Sequence, residues 1–157
     1  EKYFSVKGWN ITTSDIVGEV DHIIDMSEKL EFNTDKSVLF SKFDIILSQA
    51  QLEHVINPFM FLENCFNMLK NNGRLILMTQ GTKFQYHAFP RNYAHFFKDF
   101  FEDVRIKDEL HDFVLYDYVQ ESKTKETSII CAVFEKRRRS WEHIFFQEIV
   151  NSMLLRE

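Results

Sequence analysis

Two apolar runs of strand length, Phe43 to Ser48 and Gly73 to Thr79, flank an amphipathic run from Asn57 to Lys70. Strand, helix and strand in that order make a βαβ unit. Its strands read as continuous apolar runs rather than strict alternation, the pattern of a parallel sheet covered by helices on both faces. Phe59, Leu62, Phe66 and Leu69 recur at helical spacing and predict one apolar stripe against that sheet. Asn57 suits the N-cap and Pro58 the first turn, while Asn71-Asn72-Gly73 supplies a left-handed stop. Ligands of open α/β sheets bind beyond the carboxyl ends of the strands. Ser48 to Val55 is therefore the first place to look for a site.

Upstream, Trp9 to Ser14 is β-favourable and ends at Asp15, and Val20 to Ile24 forms a second short strand ending at Asp25. Ile16 to Glu19 is too short for the helix of a usual crossover, so these two strands are parallel neighbours only if an abbreviated connection joins them. Met26 to Lys42 reads as a loop with one turn of helix. Downstream come a loop with Gly81, the segment Tyr86 to Tyr93, a helical stretch from His95 to Phe101, and strands at Asp103 to Asp108 and Thr127 to Phe134. Leu110 to Tyr118 is aromatic without a clear period. Lys136 to Arg139 is a basic run, and Trp141 to Leu155 an amphipathic helix that suits core or a homodimer surface. No repeat or linker divides the chain, so residues 1–157 form one domain, with the sheet over 9–134 and the last helix over 141–155.

Composition narrows the function. Only 4 Gly and 2 Pro in 157 residues argue against disorder and against a turn-rich all-β fold. A net charge of −5 disfavours a general nucleic-acid binder. No apolar run approaches the roughly 18 residues of a membrane span, and the amino terminus lacks a signal-peptide pattern. Cys65 and Cys131 each sit alone in apolar surroundings, with neither metal-ligand spacing nor a disulfide framework. They predict thiols in a reducing, cytoplasmic setting.

Two acid-ended strands, then Phe43-Asp-Ile-Ile46, Leu52-Glu-His-Val55, Asn57-Pro58, Met68 to Ile76 and Tyr86-His-Ala-Phe-Pro-Arg-Asn-Tyr93, occur in one order. Together they resemble the class I S-adenosylmethionine-dependent methyltransferases, especially the group carrying Leu-Glu-His-Val after the fourth strand. The resemblance implies an α/β, Rossmann-like sheet, mostly parallel with an antiparallel final strand and helices on both faces, seven-stranded when complete. It implies S-adenosyl-L-methionine as cofactor and a small molecule or glycan precursor as acceptor. By the same resemblance Asp15, with Ile16 beside it, would accept the cofactor's ribose hydroxyls, a task for the paired acceptors of a carboxylate. Asp25 would receive the adenine amino group and Met26 would pack on the ring. Ser48, Gln49 and Ala50 would line the methionine end. His54 and His87 are candidates for general base or acceptor binding, with Glu53 beside them.

Each assignment has a plainer alternative. Asp15 and Asp25 suit strand-end turns, Glu53 and His54 a solvated turn, and His87 the packing of a lid. His22, His111 and His143 read as structural or exposed. The sequence also departs from its relatives. Gly8 and Gly18 are isolated, with no Gly-x-Gly loop, and the chain starts at Glu1 rather than Met. Either the first strand and helix lie upstream, or this form does not bind the cofactor normally. Asn92, Ala94 and His95 replace an Asp, a Trp and an Arg of close relatives, in a loop that faces the acceptor there. These departures motivate a rival reading, a non-catalytic methyltransferase-like binding or scaffold module. A nucleic-acid methyltransferase using the basic run is a third, weakened because Ser48-Gln49 lacks the Asn/Asp-Pro-Pro-Tyr/Phe signature.

Overall fold

The structure, a computed structural model, describes residues 8–30, 35–82, 84–87, 90–107, 113–124 and 127–137. The expected helix from Trp141 to Leu155, the histidines His111 and His143, and the Arg138-Arg139 end of the basic run lie outside those residues.

The βαβ unit is present. Strand β3 (Phe43–Gln49) leads through a 3-10 turn (Leu52–His54) into helix α1 (Pro58–Met68) and then strand β4 (Leu69–Gln80). β3 and β4 are parallel, with Ile46 beside Leu75 and Ser48 beside Leu77. Two further strands, β5 (Phe113–Thr124) and β6 (Thr127–Lys136), complete a sheet of order β3-β4-β6-β5 in which β6 runs antiparallel to both neighbours. Upstream, β1 (Ser14–Asp15) and β2 (His22–Ile23) form a separate parallel pair. Their short connection is the expected abbreviated one. The ladder is shorter than the sequence predicts, because Ile11 and Trp9 stay exposed rather than joining it. A 3-10 turn at Asp35–Leu39 supplies the single helical turn of the long loop.

Asn57 Oδ1 accepts from Met60 N at 3.1 Å, so the predicted N-cap forms. The buried stripe, however, is Phe61, Leu62, Cys65 and Met68, and Phe59 is 65% exposed. The reason is a second helix. Phe59 turns towards Phe100, 5.7 Å between ring centroids, rather than towards the sheet. The helix also ends before the expected stop, at Leu69 in extended geometry, and Asn72 (φ 64) falls inside a bulge of β4 between Leu69 and Arg74.

The segment Asp103 to Asp108 is not a strand as expected. Through Lys107 it belongs to helix α2 (Lys98–Lys107). Phe100, Phe101 and Val104 share one helical face, and burying Phe101 against Phe134 of β6, 6.3 Å between centroids, outweighs the local strand propensity. The expected helix at His95 to Phe101 thus starts later and runs longer. Pairing with β6 makes the aperiodic stretch after Phe113 a strand.

One face of the larger sheet is sealed: Leu75, Leu77, Ile130, Ala132 and Phe134 are buried together with the α1 stripe and Phe101. On the opposite face of β3, Ile45 is 39% and Leu47 51% exposed. β3 is an edge strand among the described residues.

Candidate functional site

Three turns bring the candidate cofactor residues to the carboxyl ends of parallel strands. At the end of β1, Asp15 Oδ1 accepts from Ile16 N at 2.6 Å. Just beyond β2, Asp25 Oδ1 accepts from Ser27 N at 2.8 Å. Each carboxylate thus spends one oxygen on its own turn, and both side chains lie at the surface. Asp21, in the β1–β2 connection, receives Thr13 N at 2.8 Å and Thr13 Oγ1 at 2.9 Å. These bonds hold its carboxyl below the usual range, and they tie the connection back to the start of β1.

The third turn follows β3. Ser48 is buried and its hydroxyl meets Gln51 Oε1 at 3.4 Å, while Gln49 and Ala50 are exposed. Ala50 N still donates to Met78 O at 2.8 Å, extending the ladder to the last possible residue. Its φ of 51° then swings the chain off the sheet into Leu52–His54. A cleft of about 430 Å³ separates the two sheets, lined from one side by Thr13, Ser14 and His22 and from the other by Ile45, Leu47 and Ser48. Met26 also lines it, although most of that side chain belongs to the core.

Asn64 of α1 fastens the loop after β2. Its Nδ2 donates to Met26 O at 3.1 Å and to Glu28 O at 2.8 Å, and its Oδ1 accepts from Leu30 N at 3.2 Å. At the other end of α1, Lys136 Nζ donates to Phe66 O and Leu69 O, both at 2.9 Å, and lies 4.2 Å from the Phe66 ring centroid. Part of the basic run is therefore a helix C-cap rather than a solvated strand end. Partial burial lowers the Lys136 pKa.

The candidate catalytic residues divide. Glu53 is 0% exposed, and its Oε2 accepts from Thr79 Oγ1 at 2.7 Å. Its main-chain carbonyl accepts from Tyr93 N at 2.8 Å and Ala94 N at 3.4 Å, so it anchors the loop after β4. His54 and His87 come together with ring centroids 5.2 Å apart, edge to face. Around them are two polar residues that the sequence reading did not select as site residues. Gln80 Nε2 meets His87 Nε2 at 2.9 Å, and Asn92 Nδ2 donates to Gln80 Oε1 at 2.7 Å. Gln80 stands at the carboxyl end of β4, so the strand-end rule that singled out Ser48 and Gln49 applies equally to it. Among the described residues no group of His, Cys, Asp and Glu is arranged to hold a metal ion, and no helix is long and apolar enough to cross a membrane.

Comparison with known proteins bears on this arrangement. A family model described as a methyltransferase domain matches residues 1–116. A ubiquinone biosynthesis O-methyltransferase from Parvibaculum lavamentivorans is 38% identical over 47 residues, which is 30% of this chain and 19% of that protein. The fold superposes with TM-score 0.64 and 17% identity on the crystal structure of Burkholderia thailandensis 1,6-didemethyltoxoflavin-N1-methyltransferase, which holds 1,6-didemethyltoxoflavin and S-adenosylhomocysteine. That match covers 87% of this chain and 65% of the other, so the chain spans less than two thirds of either protein.

Proposed function

The chain belongs to the methyltransferase-domain family, the class I S-adenosyl-L-methionine-dependent methyltransferases, and on that premise we propose that it transfers methyl groups to a small-molecule or glycan-precursor acceptor. The observation supporting this reading is one cleft whose lining includes Ser14 and Met26, the chain neighbours of Asp15 and Asp25, on one side and Ser48 at the end of β3 on the other. The residues fit the cofactor. Asp15 and Asp25 each use one carboxylate oxygen locally and keep a second acceptor oxygen for a ribose diol and an adenine amino group. Ile16 flanks the ribose position, and Met26 bears on the ring from the cleft wall. Ser48, Gln49 and Ala50 border the methionine end.

When bound, S-adenosyl-L-methionine supplies a methyl group activated by a sulfonium. The chain contributes alignment and exclusion of water around the acceptor. His54, on the turn that follows Ala50, receives the acceptor's proton, and His87 binds the acceptor beside it. Glu53 works through position: it is fully buried, one carboxylate oxygen accepts from Thr79 and its main-chain carbonyl holds the loop after β4.

Calorimetric titration of the full-length protein with S-adenosylhomocysteine tests the reading. Asp15→Ala removes charge-assisted bonds worth about 1.5–3 kcal/mol, so affinity should fall about 10- to 100-fold. Unchanged affinity would overturn the ribose assignment. The rival reading, a non-catalytic binding module, draws on the altered segment from Asn92 to His95. It predicts no methyl transfer to any acceptor by the full-length protein.

A further inference from the structure

His54 and His87 lie side by side, yet their anchors leave different edges of the two rings free. His54 Nδ1 is 3.0 Å from the Arg91 carbonyl oxygen. A carbonyl can only accept, so Nδ1 carries the proton and Nε2 keeps a bare lone pair. His87 is held from its other nitrogen. Gln80 Nε2, an amide that can only donate, sits 2.9 Å from His87 Nε2. His87 Nε2 is therefore the acceptor, and its proton is on Nδ1. The orientation of Gln80 is set by Asn92, whose Nδ2 donates to Gln80 Oε1 at 2.7 Å and also lies 3.4 Å from His95 Nε2. Gln80 is buried at the end of β4, so the chain Asn92–Gln80–His87 is shielded from water on its strand side.

We propose that His54 and His87 form a base–donor pair, with Gln80 and Asn92 as the positioning residues that set its polarity. The two rings share one tautomer but present opposite chemistry: His54 offers a lone pair at Nε2, and His87 offers an N–H at Nδ1. With ring centroids 5.2 Å apart, the free edges can address neighbouring atoms of one ligand. The matching acceptor has a dissociable O–H or N–H next to an atom with an available lone pair. The X–H proton passes to His54 Nε2 as X gives its lone pair to the methyl carbon. The carbon–sulfur bond breaks with its electrons on sulfur, leaving a neutral thioether and an imidazolium that returns its proton to water. His87 Nδ1–H meanwhile holds the neighbouring atom and fixes which heteroatom is presented.

The inference rests on the methyl-transfer reading for its chemistry, but imidazole tautomers are measured without turnover, so the two can fail separately. Long-range 1H–15N spectra of the full-length protein are recorded at about pH 8.5, some two units above the ordinary imidazole pKa of about 6.5. Both rings are expected as Nδ1–H tautomers. Gln80→Leu should release His87 into a tautomer mixture and leave His54 unchanged. Gln80→Glu, which replaces a donor by an acceptor, should turn His87 over to Nε2–H. Asn92→Ala should loosen His87 in the same direction as Gln80→Leu. A His87 signature unaffected by all three variants, or His54 carrying its proton on Nε2, overturns the pair. Catechol and phenol then serve as probes: catechol is expected to shift both imidazoles and phenol His54 alone. Equal responses, or none, overturn the acceptor class.

Discussion

Ala50 occupies the backbone position on which the candidate cleft turns. A φ of 51° is left-handed, a region where a Cβ crowds the following carbonyl at a cost of roughly 1–2 kcal/mol. The strain is local to the turn, because the Ala50 N–H is still bonded to Met78 O. Glycine removes the crowding but is freer when unfolded. Ala50→Gly is therefore expected to stabilise the protein by about 0.5–1 kcal/mol. Ala50→Val, whose branched Cβ fits this region worst, should lose about 1–2 kcal/mol. Urea denaturation reads both, and a valine variant as stable as the parent would show that the turn is not strained.

Helix α1 does more than cover the sheet. Its Asn64 holds three main-chain groups of the loop that follows Asp25, and Lys136 caps its carboxyl end. Asn64 is buried, so removing its amide strands two carbonyls and an N–H away from water, each at a cost of about 1–3 kcal/mol. Asn64→Leu should lower stability by about 2–4 kcal/mol, allowing for partial relaxation. It should also weaken cofactor affinity by freeing the Asp25–Met26 turn. An unchanged denaturation midpoint would mean that the loop is held by its apolar residues alone. Leu30 and Met26 do join the core cluster, which makes that a fair contest.

At the scale of the molecule, an apolar cluster among the described residues unites the pieces. Ile24, Met26 and Leu30, from β2 and its loop, pack with α1, β4, β6 and α2. Cys65 sits at the centre of that cluster with no exposure, and burial pushes its thiol well above the usual range. Local opening of a loop does not reach it. Alkylation of Cys65 is expected only through global unfolding, so its rate should follow the unfolding free energy across urea concentrations. Labelling of Cys65 at a rate indifferent to urea would mean that α1 detaches on its own.

The sequence by itself determined the βαβ unit, its N-cap, the acid at the end of each early strand and the family. Those signals are local: strand-length apolar runs, Asn57-Pro58, and side chains at fixed offsets from strand ends. Other features depended on what each segment packs against. The segment from Asp103 became helix because Phe101 found Phe134, and Phe59 left the expected stripe because Phe100 offered a ring. Lys136 became a cap because β6 ends beside the last turn of α1. The polar residues around the two histidines were the least legible part. Their hydrogen bonds join residues as far apart in the chain as His54 and Arg91, and only the folded chain brings the two within 3.0 Å. Sequence supplied the imidazoles. Tertiary structure decided which nitrogen of each is left to do chemistry, because a proton's place on the ring is set by the partner across from it.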